Sequence, residues 1–545
     1  MHGGRPQARR IGETRPNMND TIIVGGGSAG CVLANRLSAD PGRRVLLLEA
    51  GRAAPLDSDI PANWPMMFNT GVDWGYHTEP QPGCRMRRIF WPRGRMLGGS
   101  GSLNAMIYIR GLPSDYDGWA ASGCPGWAWD DVLPVFLRSE DNRRLGNGRL
   151  HRTGGELVVS DVPFVDPAER LWHAAAQQAG LPPNDDFNGE RQEGVGWFQL
   201  TVRGGERHGT AKAYLRPALD RPNLTVLTGV TTTRVLIERG RATGVEYLRH
   251  GRPEVAHAAA EVVLCAGAIG SPHLLMLSGI GPADALRAAG VDPVHDLPGV
   301  GQDLQDHINV PITYALKSRA GIGGMSDAEI GAATQEWLAS RTGPMTSCWV
   351  AAGGFARSRP EVAEPDLQLY GVISGHRDHA RYLAAGPGIT LHATLQRPDS
   401  RGVLSLRSAD PLEHPRIDPR YFVSDADGSD LATLIDGVRL NRRIASQPAL
   451  SDLIAHEITP SAEAQDDAAL AQFVRGHCTT LYHPTSTCRM GSDAGAVVDP
   501  ALRVRGIDGL RVADASVFPR MVSGNTNAPT IMVAERAATL IAGTA

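Results

Sequence analysis

The sequence of 545 residues lacks paired cysteines, a marked excess of one charge and an unbroken apolar run. Its seven cysteines are scattered and include no Cys-x-x-Cys pair, which favours reduced thiols over a disulfide framework. The formal net charge of −4 predicts no nucleic-acid partner, because such partners require a basic surface.

The most apolar stretch, residues 262–280, contains Gly267, Gly270, Pro272 and His273, so we expect no membrane span. Residues 1–17 contain arginines but no apolar segment, which argues against a secretory signal. We expect a disordered leader there, or a chain start at Met18, and a cytoplasmic location. The length exceeds what one hydrophobic core usually organises and predicts about two to four domain-sized units.

A dinucleotide-binding turn stands near the start of the sequence. The apolar, β-branched run 21–24 leads into residues 25–30, which read G-x-G-x-x-G, and apolar residues at helical spacing follow. In such a turn Gly25 reverses the chain, Gly27 lets the backbone approach a pyrophosphate, and Gly30 lets helix and strand pack closely. We predict strand, turn and helix, with phosphates at the helix N-terminus.

A second apolar run, residues 45–48, ends in Glu49, which lies 19 residues after Gly30. That spacing is typical of the carboxylate that binds the ribose diol, and an acid at this position argues against NADP. A surface carboxylate at a strand end is the alternative for Glu49 alone. The fingerprint does not separate NAD from FAD.

Two later segments extend this picture. Residues 92–106 form a glycine-dense loop that suits close approach to a flat ring, although a surface loop is the alternative. Residues 262–281 repeat the order of strand, glycine turn and helix, which predicts that the nucleotide-binding sheet resumes there after an interruption.

With these segments and His483, the sequence resembles the glucose-methanol-choline oxidoreductases, flavoproteins that oxidise alcohols. Four blocks carry the resemblance: residues 25–30 with Glu49, 92–111, 267–281 and 483–534. Residues 298–307 also resemble the family segment that leads out of the nucleotide domain. The resemblance implies non-covalent FAD, since Leu103 stands where covalently flavinylated relatives carry histidine.

The resemblance also implies an extended FAD. Gly25, Gly27, Ser28 and Glu49 would bind its adenosine and pyrophosphate end, and Asn104 with Ala105 would approach the isoalloxazine. The backbone of Val230 would contact adenine, with Asp514 and Ala515 near the pyrophosphate and ribityl chain. The other expected FAD contacts are Ala29, Gly30, Ala50, Arg95, Gly98, Gly99, Met106, Ala266, Tyr482 and Thr526.

Oxidising an alcohol removes a hydroxyl proton and a hydride, and flavin N5 accepts only the hydride. His483 is the expected general base, because a neutral imidazole is available at cellular pH. Its place before Pro484 predicts an extended loop. Asn525 matches the family position that faces the substrate oxygen, although asparagine is also common in turns. A helix beginning near Pro529 would direct its positive end at the flavin.

The family architecture implies a mixed α/β (α+β) fold, with a Rossmann-like FAD domain and an interleaved substrate domain built on an antiparallel sheet. We place the FAD domain at residues 18–160, 207–312 and 478–545, and the substrate domain at residues 161–206 and 313–477. Short β-like runs such as residues 402–406 are expected in the sheet that roofs the flavin.

The expected substrate is a neutral primary or secondary alcohol. Choline is disfavoured, because Asn309 replaces the carboxylate that choline-oxidising relatives carry two positions after the histidine equivalent to His307. Electrons are expected to pass to a quinone or other non-oxygen acceptor, with O₂ as the alternative. A hydroxynitrile lyase that keeps FAD without redox chemistry, and a non-enzymatic binding module, are the competing classes. Cys478, His483 and Cys488 are too widely spaced to predict a metal site.

Overall fold

The computed structural model describes residues 18–379, 382–383, 386–461 and 463–543. The predicted leader, residues 1–17, lies outside them. In chain order the strands are β1 (Met18–Val24), β2 (Val45–Glu49), β3 (Tyr76–His77), β4 (Phe90–Trp91), β5 (Glu140–Asn142), β6 (Leu157–Val159), β7 (Gly194–Trp197), β8 (Val202–Arg203), β9 (Glu206–Arg207), β10 (Leu224–Thr228), β11 (Val230–Glu238), β12 (Arg241–Arg249), β13 (Arg252–Leu264), β14 (Ile280–Gly281), β15 (His295–Asp296), β16 (Ile308–Leu316), β17 (Ala352–Ala356), β18 (Leu367–Val372), β19 (His376–Arg377), β20 (Tyr382–Leu383), β21 (Gly388–Leu395), β22 (Val403–Ser405), β23 (Arg416–Asp418), β24 (Ile454–Thr459), β25 (Thr479–Thr480) and β26 (Leu510–Val512).

The α-helices are α1 (Ser28–Leu37), α2 (Pro113–Ala121), α3 (Trp129–Ser139), α4 (Pro167–Gln178), α5 (Arg216–Ala218), α6 (Gly267–Leu277), α7 (Ala283–Ala288), α8 (Asp327–Ser340), α9 (Ser429–Ala445), α10 (Pro448–Ser451), α11 (Asp467–His477) and α12 (Asn527–Ala542). Short 3₁₀ segments connect several elements, including the one at Gly99–Ser102. Among the described residues, no helix is both long enough and apolar enough to cross a bilayer.

The first large sheet carries the glycine turn. Strands β10, β2, β1 and β13 run parallel in that order, and β26 pairs in parallel with the end of β13. The start of β13 pairs instead with β12, which continues antiparallel to β11. Strand β2 and the end of β1 are fully buried, as expected of parallel strands covered on both faces. Helices α1 and α12 pack against each other beside this sheet.

The second large sheet is antiparallel, in the order β24, β16, β21, β18, β17 and β7, and β25 also pairs with β16. Helices α4 and α9 cover one face, where Gly437 of α9 lies against Ala393 of β21. Successive side chains of a strand point to opposite faces. His392 of β21 therefore belongs to the face turned away from α9.

The strands predicted at residues 21–24 and 45–48 are confirmed as β1 and β2. Of the strand predicted at the start of the segment 262–281, residues 262–264 form the end of the longer β13, whose first residues are largely exposed in a hairpin and so carry no apolar run. The helix expected near Pro529 begins two residues earlier, at Asn527. The expectation that residues 402–406 join the roofing sheet was wrong, because β22 forms a separate two-stranded sheet with β23.

The predicted domain boundaries can be compared with these strands. The boundary at residue 312 falls inside β16, and residues 479–480, assigned to the FAD domain, pair with β16. Strands of the two large sheets alternate along the chain. The division into two interleaved domains stays a prediction.

Candidate active site

One cavity of about 870 Å³ receives residues from both large sheets. Val24, Glu49 and Val230 line it from the first sheet, and Asn309 and Tyr370 line it from the second. The nucleotide-binding turn and the expected base thus line the same cavity.

Most of the predicted site residues line this cavity. They are Gly25, Gly27, Ser28, Ala29, Glu49, Ala50, Arg95, Gly99, Asn104, Ala105, Val230, Ala266, Tyr482, His483, Asp514, Ala515, Asn525 and Thr526. Three do not: Gly30, Gly98 and Met106. Gly30 packs against the backbone of Gly25, and Met106 is buried in a separate apolar cluster.

Glu49 is anchored at the nucleotide end by backbone amides. One carboxylate oxygen accepts from the N–H of Gly26 at 2.7 Å, and the other accepts from the N–H of Gly51 at 2.7 Å. Burial raises the pKa of the Glu49 carboxyl to about 7, although both amides and the nearby Arg95 oppose that rise. These two hydrogen bonds fix the position of the carboxylate at the cavity wall.

The two glycine-dense loops meet backbone to backbone. A Cβ at Gly99, where φ is +53°, would lie 2.8 Å from Cα of Gly27. At Gly27 itself an added Cβ would meet nothing nearer than 3.9 Å, because that side of the residue faces the cavity. The turn therefore leaves open space beside the start of α1, where the first N–H groups of the helix favour an anion.

Helices α1 and α12 both begin at the cavity. The Ser28 hydroxyl at the start of α1 donates to the Asn527 side-chain oxygen at the start of α12, at 2.7 Å. Asp514 also lines the cavity, but its Oδ2 already accepts from the Ser271 hydroxyl at 2.6 Å and from the N–H of Gly267 at 2.9 Å. Its expected contact with FAD stays a prediction.

Asn104 is held by a buried arginine. Nη1 of Arg207 donates to Asn104 Oδ1 at 2.8 Å, and its Nε donates to the carbonyl of Ser58 at 2.7 Å. Asn104 Oδ1 also accepts from the N–H of Met106 at 3.0 Å. These contacts fix the loop end that is expected to approach the isoalloxazine.

His483 lies in the expected loop, and its backbone is held on both sides. The preceding residue, Tyr482, has φ of +70°, a conformation that residues with a side chain adopt only under constraint. Arg93 donates to the carbonyl of Tyr482, and Asp306 accepts from the N–H of His483 at 3.0 Å. These contacts fix where the imidazole points.

The hydrogen bonds of His307 determine which nitrogen of His483 is unprotonated. Nε2 of His307 lies 3.1 Å from the carbonyl oxygens of Gln396 and Val522, which only accept, so this nitrogen carries the proton. Burial lowers the pKa of His307 to about 4, so the ring is neutral and its Nδ1 accepts. His483 Nδ1, 2.8 Å away, therefore donates to it, and His483 Nε2 carries no proton.

The surroundings of His483 disfavour its charged form. Burial, then the neighbouring His307, then the positive charge of Arg93 lower the pKa of His483 well below its usual range. An imidazole in this position stays unprotonated at neutral pH and is available as a base.

Asn525 faces that unprotonated nitrogen. Gln368 donates to Asn525 Oδ1 at 3.0 Å, and this contact fixes the orientation of the amide. That Nδ2 lies 3.5 Å from His483 Nε2 and 3.4 Å from the hydroxyl of Tyr370. A hydrogen-bond donor and a base therefore converge on one region of the cavity.

Sequence reasoning did not assign roles to His307, Gln368, Tyr370 or Arg207. His307 stands in a segment that the motif comparison had singled out, so its neighbourhood carried a signal. Gln368 and Tyr370 lie on β18, where nothing local marks them, and only the strand alternation of residues 367–372 indicates that they share a face.

Comparison with known proteins identifies the family of the chain. The GMC oxidoreductase family matches at residues 19–309 and again at residues 398–534. An alcohol dehydrogenase (acceptor) of Pseudomonas putida is 43% identical over 533 residues, which covers 96% of each chain. The mitochondrial choline dehydrogenase of Mus musculus is 42% identical over 553 residues, which covers 99% of this chain and 92% of that one.

Solved structures show the same fold. Pyridoxine 4-oxidase from Mesorbium loti has a TM-score of 0.86 at 34% identity, covering 95% of this chain and 98% of its own. A formate oxidase from Aspergillus oryzae has a TM-score of 0.90 at 28% identity, covering 97% of this chain and 99% of its own.

A mixed α/β fold of the Rossmann type with a cavity of this kind defines a nucleotide-dependent oxidoreductase. The chain belongs to the GMC oxidoreductase family. It is an enzyme that acts on CH–OH donors and uses FAD as its cofactor. The resemblance inferred from the four sequence blocks is thereby confirmed.

Proposed function

We propose that this enzyme oxidises a primary or secondary alcohol to an aldehyde or ketone, with His483 as the general base. Bound FAD would supply the hydride acceptor. The observation that carries the proposal is the unprotonated Nε2 of His483, which faces the cavity that also contains Glu49 and the Gly27 turn. The hydroxyl proton of the substrate would pass to this nitrogen.

Asn525 would position the substrate. Its Nδ2 carries protons that can donate to the alcohol oxygen, and unlike histidine it does not titrate. As the proton leaves, negative charge develops on that oxygen, and a donor held by Gln368 stabilises it without reorganisation. The beginning of α12 adds a positive dipole end beside Thr526.

The preferred substrate is a neutral alcohol rather than choline. Asn309 lines the cavity as an uncharged amide, and its Nδ2 and Oδ1 are occupied by His392 at 2.8 Å and Thr394 at 3.0 Å. It therefore offers no carboxylate to a quaternary ammonium group. We propose this discrimination although choline dehydrogenases are among the relatives.

The electron acceptor is proposed to be a quinone or another non-oxygen carrier. The Pseudomonas putida alcohol dehydrogenase (acceptor) supports this, whereas the pyridoxine and formate oxidases support the alternative of O₂. We also propose the two interleaved domains and the cytoplasmic location stated above.

An anaerobic stopped-flow experiment with a panel of alcohols tests the activity. We expect neutral alcohols to bleach the flavin absorbance and choline to bleach it far more slowly. Mixing the reduced enzyme with O₂ or with a quinone then identifies the acceptor. A flavin that stays oxidised while cyanohydrins release aldehyde and cyanide would instead indicate a hydroxynitrile lyase.

The rate of flavin reduction should be independent of pH between about pH 6 and pH 9. The lowered pKa of His483 keeps Nε2 unprotonated across that window, whereas a histidine with the usual pKa would be about three-quarters protonated at pH 6. Stopped-flow reduction at saturating alcohol measures this, with FAD content checked at each pH. A sigmoidal rise centred near pH 6.5 would contradict the assigned environment.

FAD should be released intact when the protein is denatured with acid. Leu103 is buried at the cavity wall and offers no nucleophile to the flavin ring. Precipitation followed by chromatography of the supernatant measures the release. Yellow colour that stays with the pellet would show a covalent bond.

A further inference from the structure

The hydroxyl of Tyr370 lies at the reacting end of the cavity and has no role in the proposed reaction. Tyr370 is the direct cross-strand partner of His392, so its side chain shares the sheet face that is turned away from α9. Its ring packs against Phe198, with centroids 5.5 Å apart, and the residue is only 4% exposed. The ring is therefore held in place at the cavity wall.

The amide of Asn525 determines which part of the Tyr370 hydroxyl is free. Gln368 donates to Asn525 Oδ1, so the atom that lies 3.4 Å from the Tyr370 oxygen is Nδ2. An amide nitrogen only donates, so the Tyr370 oxygen accepts in this contact. Its O–H proton has no acceptor among the residues that the structure describes. A buried tyrosine hydroxyl usually donates to a partner, which here is expected to be a molecule in the cavity.

Three polar groups surround one position in the cavity. Asn525 Nδ2 lies 3.5 Å from His483 Nε2 and 3.4 Å from the Tyr370 oxygen, and both distances exceed the roughly 2.7–3.2 Å of a well-formed hydrogen bond. The amide is thus held tightly by neither neighbour, and an oxygen bound between the three groups can meet all of them. Burial raises the pKa of the Tyr370 hydroxyl above its usual range, so the hydroxyl keeps its proton at neutral pH.

We propose that Tyr370 is a catalytic residue, whose O–H donates a hydrogen bond to the substrate oxygen beside Asn525. This inference rests on the proposed function. Asn525 and Tyr370 would then be two fixed donors to one oxygen, while His483 Nε2 accepts the proton of that oxygen.

The value of a second donor follows from the bonds that change. The O–H bond of the alcohol breaks and its proton passes to His483 Nε2, while the C–H bond breaks and its electron pair leaves with the hydrogen for bound FAD. A lone pair of the oxygen completes the C=O bond. Negative charge develops on the oxygen before that bond is complete, and two fixed donors stabilise it better than one. Tyr370 keeps its own proton throughout.

Replacing Tyr370 by phenylalanine keeps the ring and removes the donor. Anaerobic stopped-flow reduction over a range of alcohol concentrations gives the limiting rate constant and the apparent Kd separately. We expect the limiting rate constant to fall by about 10²-fold, the usual loss when one donor to a developing oxyanion is removed. The apparent Kd should rise by less than about tenfold, because the neutral hydroxyl gains less from the bond. A fall of less than about tenfold in the rate constant overturns the proposal.

Tyr314→Phe is the matched control. Tyr314 lies on β16 of the same sheet, is also 4% exposed and does not line the cavity. Its variant should reduce the flavin at the wild-type rate, and Tyr370→Gln, which retains an N–H donor, should recover part of the rate lost in Tyr370→Phe. A change confined to Kd in Tyr370→Phe, or equal rate losses in Tyr370→Phe and Tyr314→Phe, would indicate a packing role and overturn the assignment.

An unreactive amide measures the same hydrogen bond without turnover. The primary amide with the carbon skeleton of the alcohol that reduces the flavin fastest presents a carbonyl oxygen, which accepts from both donors. Perturbation of the flavin spectrum during titration gives the Kd of this amide. That Kd should be about tenfold higher in Tyr370→Phe than in the wild-type enzyme and unchanged in Tyr314→Phe. Equal values in all three proteins contradict a donor at Tyr370.

Failure of this inference can be distinguished from failure of the proposed function. If Tyr370→Phe does not retain FAD, Tyr370→Met, which also lacks a donor, undergoes the same comparison and should show the same loss. If alcohols reduce the flavin of the wild-type enzyme and the variant without the donor is not slowed, only the role of Tyr370 fails. If no alcohol reduces the flavin of the wild-type enzyme, the proposed function itself fails.

Discussion

Replacing His483 by alanine is expected to slow anaerobic flavin reduction by about 10²–10⁴-fold, the usual contribution of a general base. The loss follows from geometry, because the unprotonated His483 Nε2 lies 3.5 Å from the amide nitrogen of Asn525 and its ring is held by His307. Single-turnover stopped-flow measurement with a saturating alcohol isolates this step from the later transfer to the acceptor.

The matched control is His456→Ala, which removes an exposed histidine of β24. It should reduce its flavin at the wild-type rate. Added imidazole should restore part of the rate in His483→Ala and have no effect on the control. A loss below about tenfold, with FAD content unchanged, would remove His483 from the role of base.

Replacing Glu49 by alanine is expected to weaken FAD binding by about 10²–10⁴-fold, which corresponds to two hydrogen bonds from a diol to a charged acceptor. Only the ionised carboxylate accepts both of these hydrogen bonds from the diol. Because burial raises the pKa of Glu49 to about 7, wild-type affinity should also fall as the pH drops through that value. Titration of the apoprotein with FAD, followed by quenching of flavin fluorescence, measures both effects.

Glu238→Ala is the control, since Glu238 is an exposed carboxylate at the end of β11 in the same sheet. Removing Glu49 also leaves the N–H groups of Gly26 and Gly51 without their acceptor. The melting temperature of the apoprotein therefore has to be measured beside the affinity. Unchanged affinity in Glu49→Ala, at any pH, would exclude a ribose contact.

The nucleotide half of the fold was predictable from sequence because its signals are local. The run 21–24, the glycines after it and Glu49 lie within one short stretch, and the structure confirms β1, α1 and β2 there. His483 and Asn525 were predictable through family motifs. The structure brings both to one cavity with Glu49.

The environment of the base was not predictable in the same way. His307 lies 176 residues before His483, and Gln368 lies 157 residues before Asn525, so each contact depends on the tertiary fold rather than on a local sequence pattern. The start of β13 was likewise not predictable from its own sequence, because its exposed residues are held by pairing with the neighbouring β12. Proton positions on the histidines follow only from contacts of this kind.

The contact between Gly27 and Gly99 bears on protein engineering. A Cβ on Gly99 would lie 2.8 Å from the main chain of Gly27. The two loops therefore pack backbone to backbone, and no side chain lies between them that could adjust to a change in either loop. Recombining segments from homologous enzymes should therefore preserve activity only when both loops are inherited from one parent. Crossover points between residues 30 and 92 are the ones to avoid in a chimeric library.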